Sequence, residues 1–237
     1  MRIIKAIAIK EWRGWWGSPT GYIFAGLLLI IANWLFFNDL FILGQADAGP
    51  LFTTMAFLLS IFVPAVAMGL LSEEKRSGTW EVLLTSPINE WQMVVGKFVG
   101  VAVYLASVMT MLIPAVLTVY FLGRPDYGPM ISQWLTTILL AWGYLALGLF
   151  MSSLTSQPVV AFILTTLTLL INNLFSQEML LSRIDGQWRE MVAGLSLGFR
   201  AGKMGGGLIE LNNLLFFLSF MAVFLILTVI VVKNRDK

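Results

Sequence analysis

The chain has 237 residues, 58% of them hydrophobic and only 12% charged, with a mean hydropathy of +0.85. Soluble domains carry about twice that share of charge, so the composition excludes a disordered chain. Fifteen Lys+Arg stand against thirteen Asp+Glu, with no basic block beyond Lys75-Arg76, which argues against nucleic-acid binding. No Cys and no His occur, so disulfides, thiolate nucleophiles and the commonest general base and metal ligand are missing. What is left is an all-α polytopic membrane protein, expected to be no enzyme and to hold no metal or cofactor of its own.

Residues 1–16, MRIIKAIAIKEWRGWW, mix apolar and basic side chains. At about 100° per residue, Ile4, Ile7, Ala8, Trp12 and Trp15 share one side, and Arg2, Lys10 and Arg13 the other. That pattern predicts an amphipathic helix lying in the membrane interface. Glu11 falls within the apolar face and breaks the pattern.

A helix needs about 20 mostly apolar residues to cross a bilayer. No charge lies between Arg13 and Asp39, between Asp47 and Glu73, or between Lys97 and Arg124. These gaps predict spans near 20–42, 51–71 and 98–122, the second and third kinked at Pro64 and Pro114. The first of them is too long for a signal-peptide core and is expected to be retained. Residues 127–177 are uncharged and too many for one span. They suit two, near 131–151 and 159–175, parted by the polar run 152–158 that ends in Pro158. A sixth span is predicted near 211–232, and residues 1–237 form a single domain.

Six spans place both termini on one side. That side holds ten of the basic residues and the other side five, which predicts cytoplasmic termini. The outer segment 176–210 carries four basic residues, and short helices dipping into the outer leaflet would suit it.

Residues 72–97, SEEKRSGTWEVLLTSPINEWQMVVGK, form the longest loop on the terminus side. Gly78 is a break and Thr79 can cap a short helix, with Glu81 in its first turn. Trp80, Leu83 and Leu84 give that helix an apolar side, and Ser86-Pro87 starts the next helix. A merely solvated loop has no need of Trp80, Leu83, Leu84, Ile88 and Trp91, so headgroups or a protein should pack there.

Other motifs fail. Residues 198–204, GFRAGKM, contain Gly-Lys but lack P-loop spacing and a preceding strand. Gly96 and Gly100, and Gly202 and Gly206, match G-x-x-x-G, but the first pair begins at a membrane boundary and the second lies in a loop. Apart from Asp39, at the outer boundary of the first, the spans contain no ionisable residue of the kind that ion-coupled transporters bury. Asn33, Asn172 and Asn173 either bond neighbouring helices or line a substrate path. With no energy source visible in the chain, an engine on another subunit is expected.

Residues 72–96 resemble the signature loop of ABC exporter permeases of the second type. The family pattern E-K/R-x-x-G-T-x-E-x-L-L-x-x-P is met by Glu74, Lys75 or Arg76, Gly78, Thr79, Glu81, Leu83, Leu84 and Pro87. Residues 10–24 and 208–219 extend the likeness, more narrowly to permease subunits of bacterial gliding motility. The resemblance implies six spans, an interface helix and a coupling helix in loop 72–97. It implies docking on a separate nucleotide-binding ATPase that holds the ATP, and a second permease half, identical or different. The bacterial inner membrane is the location it implies. Glu74, Gly78, Thr79, Trp80, Glu81, Leu83, Leu84 and Pro87 would then couple to the ATPase. A membrane scaffold of a motility or secretion complex, with no translocation path, is the alternative.

Overall fold

The structure, a computed structural model, describes residues 2–43, 49–78, 89–122, 127–176, 193–205 and 210–234. Among these residues every regular element is helical. In chain order they are α1 (Arg2–Gly17), α2 (Pro19–Leu43), α3 (Gly49–Ala67), α4 (Gly69–Arg76) and α5 (Glu90–Thr110). Then follow α6 (Ile113–Leu122), α7 (Tyr127–Leu154), α8 (Pro158–Leu174), α9 (Leu197–Gly205) and α10 (Leu211–Asn234).

Among the described residues, five stretches are long and apolar enough to cross a membrane: Pro19–Ile42, Gly49–Arg76, Glu90–Thr118, Gly128–Leu154 and Leu211–Asn234. The remaining expected span, 159–175, is the shorter apolar helix Pro158–Leu174, of 17 residues. Gly128–Leu154 is 72% buried, whereas Pro19–Ile42 and Leu211–Asn234 are each 28% buried, so α7 is the centre and α2 and α10 lie outside. Around α7 pack α3, α4, α5, α8, α9 and α10.

Both prolines expected to kink spans sit at breaks. Pro64 lies within α3, has no N–H to give, and precedes the turn at Met68 where α3 yields to α4. Pro114 stands in the first turn of α6, after the turn at Met111 and Leu112. Helix α5 starts earlier than the span predicted near 98–122, because the Asn89 side chain accepts from the Trp91 N–H at 3.1 Å and caps it.

The break between α3 and α4 is repaired from α7. The backbone N–H groups of Leu71 and Ser72 donate to Ser152 Oγ at 3.2 and 3.1 Å, and that hydroxyl donates to the Met68 carbonyl at 2.8 Å. One turn earlier on α7, a Cβ added to Gly148 would come within 2.6 Å of Ala67 Cβ, so the glycine sets the close approach of the two helices. Ser152 belongs to a polar run that reads as a connection, yet it is fully buried inside α7. Ser152→Ala is expected to strand the two N–H groups and cost about 1–3 kcal/mol. Thermal unfolding of the purified protein checks it, and a midpoint equal to that of the parent chain would refute this role.

Candidate functional site

The site forms where α1, α4 and α5 meet. Helix α1 lies along α5, and two glycines of α5 make room for it. A Cβ on Gly96 would come within 2.8 Å of Ile7 Cβ. One on Gly100 would come within 2.6 Å of the Ala8 carbonyl oxygen and 2.7 Å of Glu11 Cβ. Gly96 and Gly100, one turn apart, are therefore the seat of α1. The apolar face of α1 meets protein here, with Ile4, Ile7, Ala8 and Trp15 half-buried while Trp12 stays exposed.

Glu11, which interrupts that face, is what the face presents to Lys97. Lys97 is 5% exposed, and its ammonium donates to Glu74 Oε1 at 2.6 Å, the Leu70 carbonyl at 2.9 Å and Glu11 Oε1 at 3.3 Å. Three donors meet three acceptors, which is the full capacity of an ammonium group. Burying a charge is tolerated when it is paired and hydrogen-bonded in this way. One nitrogen thus ties α1, the end of α3–α4 and the start of α5 together. Lys75, next to Glu74, donates from Nζ to the Ser153 carbonyl and ties α4 to α7 as well.

Aromatic packing closes the other end of the seat. Trp15 stacks on Tyr104 with ring centroids 5.2 Å apart, and Trp16 meets the same ring edge-on at 5.3 Å. Trp16 Nε1 donates to Ser107 Oγ at 3.2 Å, and the Tyr104 hydroxyl donates to the Gly21 carbonyl at 2.7 Å. Ser18 Oγ accepts from the Gly21 N–H at 3.2 Å and donates to the Trp15 carbonyl at 3.2 Å, so it caps α2 with Pro19 in the first helical position. Between these groups a cavity of about 420 Å³ opens, lined in part by Glu11, Trp15, Phe24, Glu73, Glu74 and Lys97.

Of the residues singled out for contact with an ATPase, Glu74 belongs to this cluster. Gly78 follows the C-terminus of α4 with a φ of +72°, the left-handed conformation that favours glycine. Thr79, Trp80, Glu81, Leu83, Leu84 and Pro87 lie outside the described residues. The asparagines fall in two places. Asn33 Nδ2 donates to the Leu29 carbonyl of its own helix at 2.7 Å. Asn173 Oδ1 accepts from the Tyr144 hydroxyl at 2.8 Å, Asn173 Nδ2 donates to the Ala56 carbonyl at 3.3 Å, and Asn172 Oδ1 accepts from the Leu197 N–H at 3.1 Å. Asn172 and Asn173 therefore join α8 to α3, α7 and α9, at the end of the bundle away from Lys97.

Sequence reading missed Lys97, which had counted only as one more positive residue on its side of the membrane. The usable signal was Glu11, a carboxylate on an apolar helical face that needs a cation to meet it.

Residues 32–236 match the family model described as ABC-2 family transporter protein. No curated protein matches the chain. The match runs from within α2 to the end of α10, over the apolar helices that make this a multi-pass membrane protein. The chain belongs to the ABC-2 family of transporter proteins and is a permease component of the kind that associates with an ABC ATPase.

Proposed function

We propose that the chain couples ATP hydrolysis on a separate subunit to export or mechanical work across the bacterial inner membrane. Residues 72–97 serve as the coupling element, with Thr79, Trp80, Leu83 and Leu84 against the ATPase and Glu81 pairing a basic group. The observation that carries the reading is the Lys97 cluster. Both flanks of the 79–88 segment, α4 and α5, are pinned to each other and to α1 by one buried ammonium. A push on that segment therefore moves three helices as a unit, and rigid-body motion is a known form of switching.

The rest follows the same reading. Both termini are cytoplasmic, by the ten-to-five division of Lys and Arg. Helix α8 is the sixth span: its 17 residues reach about 26 Å at about 1.5 Å per residue, close to the roughly 30 Å hydrocarbon core. Helix α1 is the interface helix, held against α5 rather than loose among the headgroups. A second permease half completes the unit, and residues 10–24 and 208–219 favour work in gliding motility.

The test is affinity purification of the tagged chain in mild detergent, with mass spectrometry and an ATPase assay. A P-loop ATPase should come with it and be lost when Thr79 and Leu83 are both changed to Asp. Glu81→Lys should lower ATP-coupled function while the chain still inserts. Purification without any ATPase, and no crosslink from residues 72–97 to one, would sink the proposal in favour of a scaffold.

A further inference from the structure

A second cavity, of about 590 Å³, lies at the end of the bundle away from Lys97, between α3, α7, α8 and α9. Its volume is within the range of small-molecule sites, about 300–1,000 Å³. Six neutral polar side chains reach it: Thr53, Gln133, Thr136, Thr137, Asn173 and Ser176. Among the described residues that line it, none is charged. An anion would find no cation there and a cation no carboxylate.

The hydrogen-bond balance is more selective. Thr53, Thr136 and Thr137 donate their hydroxyl protons to the carbonyls of Gly49, Ser132 and Gln133, at 3.1, 2.6 and 2.8 Å. The Ser176 hydroxyl is engaged as well, 3.1 Å from the Asn172 carbonyl and 2.5 Å from Ser196 Oγ. With its proton committed, a hydroxyl still offers oxygen lone pairs to a visitor. The side-chain amide of Gln133 makes no hydrogen bond among the described residues, its backbone carbonyl alone being engaged by Thr137, so the amide is open both to give and to accept. Phe52 and Phe57 supply apolar ring surface on the α3 wall. The walls thus ask for a guest without charge, rich in O–H donors and bearing some C–H surface.

We infer that this cavity binds an uncharged polyhydroxyl group, such as a neutral sugar, carried either on a lipid or free in solution. Binding at the site stands on the cavity alone. Its use as a station for cargo rests on the permease reading, which on the division of charges puts this end outside. The binding test needs no ATPase, so failure of one reading leaves the other measurable.

Two features make the test clean. The chain has no Cys, so Thr53→Cys gives a single thiol on the cavity wall. Gly202 also lines the cavity, and a Cβ there meets nothing within 4 Å, so Gly202→Leu adds bulk at the cavity wall with no clash at its Cβ. The protein is placed in nanodiscs and the rate of maleimide labelling at Thr53→Cys is followed. One arm adds maltotriose, and the other includes monoglucosyl diacylglycerol in the bilayer.

Labelling should slow in at least one arm, by about tenfold when ligand is about ten times its Kd. The arm that slows it tells a free sugar from a lipid headgroup. Gly202→Leu, and separately Gln133→Ala, should abolish the protection while each variant still elutes as a monodisperse peak. The inference is overturned by labelling that neither sugar slows, by equal protection from phosphatidylglycerol, or by protection that survives Gly202→Leu.

Discussion

Replacing Lys97 with Met should lower the thermal midpoint of the purified protein by roughly 10 °C. Methionine fills most of the same space, so packing changes little. What changes is that the Glu11 and Glu74 carboxylates, with side chains 19% and 24% exposed, lose the cation that both share. Removing one partner of a buried pair costs about 3–5 kcal/mol, because a charge is left without compensation in a poorly solvated place. The Leu70 carbonyl loses its donor as well. Adding Glu11→Gln and Glu74→Gln to Lys97→Met removes both stranded charges and should restore most of the lost stability. A triple variant as unstable as Lys97→Met would show that charge is not the source of the cost. Stimulation of the partner ATPase gives a second readout. Stability that returns without stimulation marks the ion pair as part of the transmission, whereas joint recovery marks it as packing.

Gly100→Leu should release α1. A Cβ alone would sit 2.6 Å from the Ala8 carbonyl oxygen, and a backbone atom cannot move aside as a flexible side-chain end can. Overpacking of this sort costs about 1–3 kcal/mol, and the helix that gives way is α1, since α5 is built into the bundle. With α1 lifted, Trp15 and Trp16 leave Tyr104, and Glu11 leaves Lys97. Helix α1 carries Arg2, Lys5, Lys10 and Arg13, so trypsin reports its release. Cleavage there should become on the order of tenfold to a hundredfold faster, because proteolysis follows the locally opened population. Gly26→Leu, on α2, is the control, as a Cβ there meets nothing within 4 Å. Equal cleavage rates in Gly100→Leu and Gly26→Leu would remove Gly100 from the docking seat.

Part of the candidate site was visible in one dimension. Gly78 read as a break and has the positive φ of one. Glu74 was singled out as a contact for the ATPase, and its described partner is Lys97. Gly96 and Gly100 were noticed as a motif and set aside because they stand at a membrane boundary. The motif receives the amphipathic helix α1, and not one of the candidate spans. Ser152 read as part of a connection because Ser, Thr and Gln cluster with Pro158. The helix runs on through Leu154, since the break in α3–α4 supplies carbonyl and N–H partners that make a buried serine favourable.

The residues themselves determine that the chain is helical, where its long apolar stretches run and where prolines interrupt them. Those properties follow from nearest neighbours in sequence and from the cost of leaving charge and unpaired backbone in hydrocarbon. Partners are another matter. Glu11 meets Lys97 across 86 positions, and Trp16 meets Ser107 across 91. Periodicity can mark Glu11 as a misfit, but it holds no term for a group that far along the chain. Only when α1 settles on the two glycines of α5 do distance and burial select which lysine is a surface charge and which one joins three helices.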